Sequence, residues 1–187
     1  MNKEKMDKKA KKRLAHSAKE CAYLAVFVAL TIAAQFALSA LPSVEIVTVL
    51  FCAYAFTFGI KRGMLAATAF SLLRQLLFGF YPTVLILYLT YYNFLASVFG
   101  FLGNKMKKPL RFLPLLIVCA CVCTVCFTMF DNLLTPLWYG YSARATSAYF
   151  LASLPFMGVQ VLNAGLSVGV LFFPLYRVFS LVKRTLR

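Results

Sequence analysis

The sequence predicts an all-α integral membrane protein with six transmembrane helices and with both termini in the cytoplasm. Apolar residues make up 62% of the chain, whereas about 45–50% is usual for a soluble domain. They occur in runs long enough to cross a hydrocarbon core about 30 Å thick. The basic residues lie in short stretches between these runs, which is the distribution expected of cytoplasmic segments.

The chain divides into a basic leader (1–20), a membrane domain (21–180) and a basic tail (181–187). The leader is expected at the anionic inner leaflet. A cleaved signal peptide is the alternative, but the first apolar run exceeds a signal-peptide core of about 7–15 residues, which favours a retained helix. The predicted spans are about 21–41, 44–59, 64–80, 83–102, 112–134 and 148–179.

The positions of the charges predict the orientation. With both termini inside, every one of the 20 basic residues except Arg74 and Arg144 lies on a cytoplasmic segment. This asymmetry is the positive-inside pattern. The formal net charge of +15 therefore indicates the lipid bilayer, and not nucleic acid, as the partner of the basic residues. The predicted location is a bacterial plasma membrane, crossed several times.

This topology brings polar and aromatic residues to the outer end of the helices. Glu45, in the stretch LPSVEIVTVL, is one of five acidic residues in the chain and begins the second helix. Polar groups near hydrocarbon are costly unless they are paired, hydrated or bound, so they indicate function. Aromatic walls with a few polar groups are typical of ligand sites. The candidate substrate-binding residues are Glu45, Arg74, Gln75, Tyr88, Asp131, Asn132, Trp138, Tyr139, Arg144, Gln160 and Asn163.

Two features of this candidate site have alternative interpretations. An ion pair from Arg74 to Glu45 or Asp131 would merely hold the helices together, with Trp and Tyr residues at the membrane interface. The stretch from Thr135 to Ser147 is predicted as the longest internal loop, and its Trp138 suggests a lid over the site.

The first span carries small residues about four apart: Ala22, Ala25, Ala29 and Ala33. Such spacing leaves a smooth groove that another helix can approach closely. By spacing alone, docking of a partner and packing against the protein's own helices are equally supported. A GxxxG pair, Gly165 and Gly169, indicates a second close helix contact in the sixth span.

No catalytic centre, metal site or cofactor is predicted. Four of the six cysteines fall within one apolar run, where Cys behaves as a small hydrophobe. The only histidine, His16, lies in the leader, and the chain has no phosphate-binding GxxxxGK[ST] loop. Two alternatives to a binding protein stay open: a lipid-modifying membrane enzyme using Glu45, Asp131 and Arg74, and a structural or regulatory protein without a ligand.

Several features together resemble one transporter family. These are the size, the six spans, the alanine-rich first helix, PSVEIVTVL entering the second helix and the closing pattern LPFMGVQVLNAGLSVGVLFFPLYRVF. Over nearly the whole chain beyond the leader, they look like the substrate-binding (S) component of energy-coupling factor (ECF) transporters, a type of ABC transporter.

The resemblance implies that the chain binds a vitamin or related micronutrient from outside. It implies association with a membrane T component and two cytoplasmic ATPases, which drive import. It also implies that the face carrying Ala25, Ala29 and Ala33 docks on the T component. Both charge signs and many rings at the predicted site suit a flat polar heterocycle or a large corrinoid. The family suggests cobalamin or a queuosine precursor as examples.

Overall fold

In the computed structural model, the chain is a bundle of α-helices. The structure describes residues 3–38, 46–106 and 109–186, with side chains described from residue 18 onward. Helix makes up 94% of the residues, and no strand occurs in these ranges. The helices are α1 (Lys3–Ala37), α2 (Ile46–Phe58), α3 (Ile60–Phe78), α4 (Pro82–Lys105), α5 (Leu113–Tyr139) and α6 (Ala143–Thr185), with a 3₁₀ turn, Pro109–Phe112, before α5.

Four of the described helices are long and apolar enough to cross a membrane: α1 over Ala18–Ala37, α4, α5 with its preceding turn, and α6. Helix α2 has 13 residues and reaches only about 20 Å at 1.5 Å per residue. Helix α3 carries Lys61, Arg62 and Arg74. The all-helical fold is therefore confirmed, with four helices that fit a membrane span by length and composition, while the number of six spans and the cytoplasmic termini remain predictions.

Helix α2 forms the centre of the bundle. Every residue from Val47 to Thr57 is buried, and the helix packs chiefly against α4 and α6. A helix that is apolar on all sides lies either in lipid or in the core of a bundle, and the burial of α2 places it in the core. Its ring of Phe51 lies 5.2 Å from that of Phe70 and 4.8 Å from that of Tyr92, so aromatic contacts join α2 to α3 and α4.

Two glycines of α4 allow it to cross α2 and the start of α3 at very short range. A Cβ atom at Gly103 would lie 2.0 Å from the carbonyl oxygen of Phe56, and one at Gly100 would lie 2.6 Å from the backbone nitrogen of Ile60. No side chain fits at these distances. The crossing therefore depends on glycine at both positions.

Polar contacts join the helices at the end of the bundle where α2 meets α3 and where α6 ends. Glu20 of α1 makes an ion pair with Arg62 of α3, and the Lys183 ammonium of α6 donates a hydrogen bond to the Thr57 carbonyl of α2. Lys61 lies at the start of α3 and Lys105 at the end of α4, and these two helix ends are adjacent because Gly100 of α4 packs against Ile60 of α3. Basic residues therefore gather at one end of the bundle, as the charge distribution predicts.

The connection between α5 and α6 is a tight turn. Gly140 adopts a left-handed conformation (φ +64°), the Tyr141 amide donates to the Pro136 carbonyl at 3.0 Å, and the Ser142 hydroxyl accepts from the Ala145 amide at 3.3 Å. These interactions end one helix and begin the next within three residues. The prediction of a loop from Thr135 to Ser147 is therefore wrong, because α5 continues to Tyr139 and α6 begins at Ala143.

Candidate functional site

A cavity of about 260 Å³ lies between α5 and α6, at the end of the bundle opposite the basic one. Its walls combine aromatic rings with a carboxylate, hydroxyls and an amide. Ligand sites typically join apolar walls to a few polar groups in this way. The lining residues are Phe127, Thr128, Asp131, Tyr149, Ala152, Ser153, Phe156 and Gln160.

Asp131 is the charged group of this cavity. Its Oδ1 accepts a hydrogen bond from the Thr135 hydroxyl at 2.6 Å, and its Oδ2 accepts one from the Tyr149 hydroxyl at 3.2 Å. Thr135 lies one helical turn away, whereas Tyr149 comes from α6. The α5–α6 pairing therefore orients the carboxylate toward the cavity.

Two further hydrogen bonds join α5 to α6 along the same line. The Asn132 amide donates to the Ser153 hydroxyl at 2.7 Å, and the Thr128 hydroxyl donates to Gln160 Oε1 at 3.2 Å. Asn132 is buried and its Oδ1 has no hydrogen-bond partner in the described ranges. Asn132 thus supports the cavity wall by holding Ser153, while Gln160 lines the cavity directly.

Arg74 belongs to a second polar cluster, formed by α1, α3 and α4. Its Nε donates to Gln35 Oε1 at 3.1 Å, and Gln35 Nε2 donates to the Tyr88 hydroxyl at 3.1 Å. The guanidinium carbon lies 4.4 Å from the ring centre of Tyr88 and 4.7 Å from that of Phe78. Amide and aromatic contacts therefore hold this cation.

One pair of rings connects the two clusters. Tyr88 and Phe127 have ring centres 6.4 Å apart, and Phe127 lines the α5–α6 cavity. Among the described residues, no ion pair joins Arg74 to Asp131. The predicted ion pair of Arg74 with Glu45 or Asp131 is therefore not formed with Asp131 in the described structure, and Glu45 lies outside the described residues.

The remaining candidate residues occupy different positions. Trp138 and Tyr139 lie in the last turn of α5 and are 52% and 55% exposed, and Arg144 is exposed at the start of α6. Gln75 is buried and accepts the Tyr81 amide at 3.2 Å, which joins α3 to α4. Asn163 is half-buried on α6 and is not among the residues that line the cavity.

The predicted docking face lies on the outside of the bundle. Helix α1 buries Phe27, Val28, Thr31 and Ile32, whereas its four alanines, Ala22, Ala25, Ala29 and Ala33, are all exposed. The alternative, that these alanines pack against the protein's own helices, therefore has no support in the described structure. The Gly165 and Gly169 pair does face a helix of the same chain, since their Cβ positions lie 3.1 Å from Cys121 Sγ and 3.5 Å from Ile117 Cδ1.

Sequence reasoning missed several residues of both clusters: Gln35, Phe127, Thr128, Tyr149 and Ser153. A usable signal was present in the spacing of polar residues. Tyr149, Ser153 and Gln160 lie four and seven apart on α6, which places them on one face of a helix. Gln35 was visible as a polar residue within the first apolar run. No spacing identifies Phe127, because it is one of 19 phenylalanines.

Length and composition fit a multi-pass helical membrane protein. Comparison with protein-family models, with curated proteins and with solved structures found no match to this chain. No group of three or more His, Cys, Asp or Glu side chains able to hold a metal ion occurs in the part of the chain that the structure describes.

Proposed function

We propose that the chain is the substrate-capture subunit of an energy-coupling factor transporter. It binds a vitamin or related micronutrient at the outer face of the plasma membrane, and partner subunits drive its import. The observation that carries this proposal is the α5–α6 cavity. It holds a carboxylate and an amide between aromatic rings, at the end of the bundle away from the basic residues.

The volume of the cavity limits the size of the ligand. Ligand sites usually enclose about 300–1,000 Å³, so a cavity of about 260 Å³ suits a ligand of one or two rings. A corrinoid is far larger than this space. Of the two ligand classes that the sequence suggested, the flat polar heterocycle is therefore preferred.

The exposed alanines of α1 support the partner side of the proposal. Small side chains allow close helix approach, and van der Waals packing drives association between helices in lipid. Ala25 and Ala29 lie on a surface that no helix of the described chain covers. The membrane T component is the proposed occupant, and the two ATPases bind through it.

Purification of the tagged full-length chain from its own cells tests both ligand binding and association with the partner subunits. Native mass spectrometry is expected to detect a bound small molecule other than lipid, together with a T component and two ATPases identified by peptide sequencing. Ala29→Trp should retain the small molecule and lose the three protein partners. Val170→Trp is the matched control, because Val170 is 70% exposed on α6, and it should retain everything.

Two results would count against this function. The first is a purified protein that retains no small molecule and no partner subunit. The second is measurable turnover of a lipid by the chain alone that disappears in Asp131→Asn, which would favour the membrane enzyme instead.

A further inference from the structure

Among the described residues, the carboxylate of Asp131 has no cationic partner. Its two hydrogen-bond donors, the hydroxyls of Thr135 and Tyr149, are both neutral. Within residues 18–38, 46–106 and 109–186, Asp131 makes no ion pair, and the ion pair that does occur there, between Glu20 and Arg62, lies at the opposite end of the bundle. A carboxylate among apolar helices without a counter-charge is costly.

The same carboxylate has unused capacity for hydrogen bonds. An ionised carboxylate offers about four acceptor sites, and Thr135 and Tyr149 use two of them. Asp131 lines the cavity, so its remaining sites are available to a molecule bound there. A ligand that donates N–H groups would satisfy them.

The other walls favour a positive charge as well. The rings of Phe127, Tyr149 and Phe156 line the cavity, and the face of an aromatic ring attracts a cation. Arg74, which would oppose a cation, bonds to Gln35 and stacks on Tyr88 in the separate cluster. Among the described residues that line the cavity, none is an arginine or a lysine.

The amide of Gln160 supplies a second, different contact. Its Oε1 lies 3.2 Å from the Thr128 hydroxyl, whose single hydrogen is shared between this atom and the Thr124 carbonyl, while the Gln160 Nε2 donates to no described residue. An acceptor atom on the ligand, such as a ring nitrogen or carbonyl oxygen, would bind there. A small ring compound that carries N–H donors for Asp131 and an acceptor atom for Gln160 would therefore bind to both residues.

We propose that the α5–α6 cavity binds a planar, cationic nitrogen compound. A protonated amine or amidinium group pairs with Asp131, and its ring packs among Phe127, Tyr149 and Phe156. This assignment rests on the proposed function as a capture subunit and specifies the charge of the captured molecule. It predicts that neutral and anionic compounds of the same shape bind more weakly.

Three probes of nearly the same shape test the proposal: benzamidine, which is cationic at neutral pH, neutral benzamide and anionic benzoate. Their binding to the detergent-purified full chain is measured by calorimetry, with dissociation constants of about 1 mM expected for fragments of this size. Benzamidine should bind about tenfold more tightly than benzamide, which corresponds to about 1.4 kcal/mol. Benzoate should bind most weakly.

Two variants at the cavity make the test specific. Asp131→Asn keeps the size of the side chain and removes its charge, so the preference for benzamidine over benzamide should fall to about one. Gln160→Glu keeps the acceptor for Thr128 and adds a negative charge, so the preference should increase. Lys105→Gln removes a charge at the far end of the bundle and should leave the preference unchanged. Gln160→Glu keeps the test decisive even if Asp131→Asn does not fold.

Equal affinity for benzamidine and benzamide, tighter binding of benzoate, or no binding of any probe would overturn the proposal. A preference for benzamidine that survives in Asp131→Asn and does not rise in Gln160→Glu would also overturn it. These results leave the proposed function standing, because that function is judged separately by co-purification of the T component and the ATPases.

Discussion

The glycine crossing between α4 and α2 makes a quantitative prediction about stability. In Gly103→Ala, the added methyl group would lie 2.0 Å from the Phe56 carbonyl oxygen and 2.7 Å from its carbonyl carbon. Non-bonded heavy atoms pack best at about 3.5 Å or more, so the two helices must separate locally by about 1.5 Å. The obstacle is helix backbone and cannot rotate away.

The expected cost follows from this geometry. Inserting a methyl group into a packed core typically costs about 1–3 kcal/mol, and a clash with backbone belongs at the upper end of that range. For a domain of this size, 1 kcal/mol corresponds to about 2–4 °C in Tm. A loss of about 3 kcal/mol should therefore lower the Tm of Gly103→Ala by about 6–12 °C.

The assay is thermal unfolding of the purified protein in detergent. Gly158→Ala is the matched control, because its Cβ position in α6 has no other heavy atom within 4 Å. Alanine is favoured over glycine in a helix by about 1 kcal/mol, so this control should melt at or slightly above the wild-type temperature. If Gly103→Ala melted at the wild-type temperature, α4 would not cross α2 as described.

The remaining predictions concern the polar contacts at the two ends of the bundle. Gln35→Leu removes the amide that joins Arg74 to Tyr88 through two hydrogen bonds. Each such bond contributes about 0.5–1.5 kcal/mol, so the free energy of unfolding in denaturant should fall by about 1–3 kcal/mol. An unchanged free energy of unfolding would show that these two hydrogen bonds do not stabilise the protein. Glu20→Gln breaks the ion pair with Arg62, whose side chain is 39% exposed. Such exposed pairs contribute at most about 1 kcal/mol, so the Tm should change by less than about 4 °C, and the difference from the wild type should shrink further in high salt.

Composition and apolar runs were enough to predict an all-helical chain and the course of its helices. Long apolar runs predict helices because each backbone N–H and C=O in lipid needs a partner within the same segment. The six α-helices of the described ranges overlap the six predicted runs, although only four of them are long and apolar enough to cross a membrane. The alanine face of α1 was also readable, because helical spacing alone places its members on one side.

The grouping of the polar residues became visible only from the packing of the helices. The sequence predicted one site containing both Arg74 and Asp131, but α1, α3 and α4 surround Arg74, whereas α5 and α6 surround Asp131. The position of a residue along its helix predicts its depth in the bundle. It does not predict which other helices lie beside that helix. Helix packing decides that, and it is set by contacts such as Gly103 against Phe56, which no local pattern encodes.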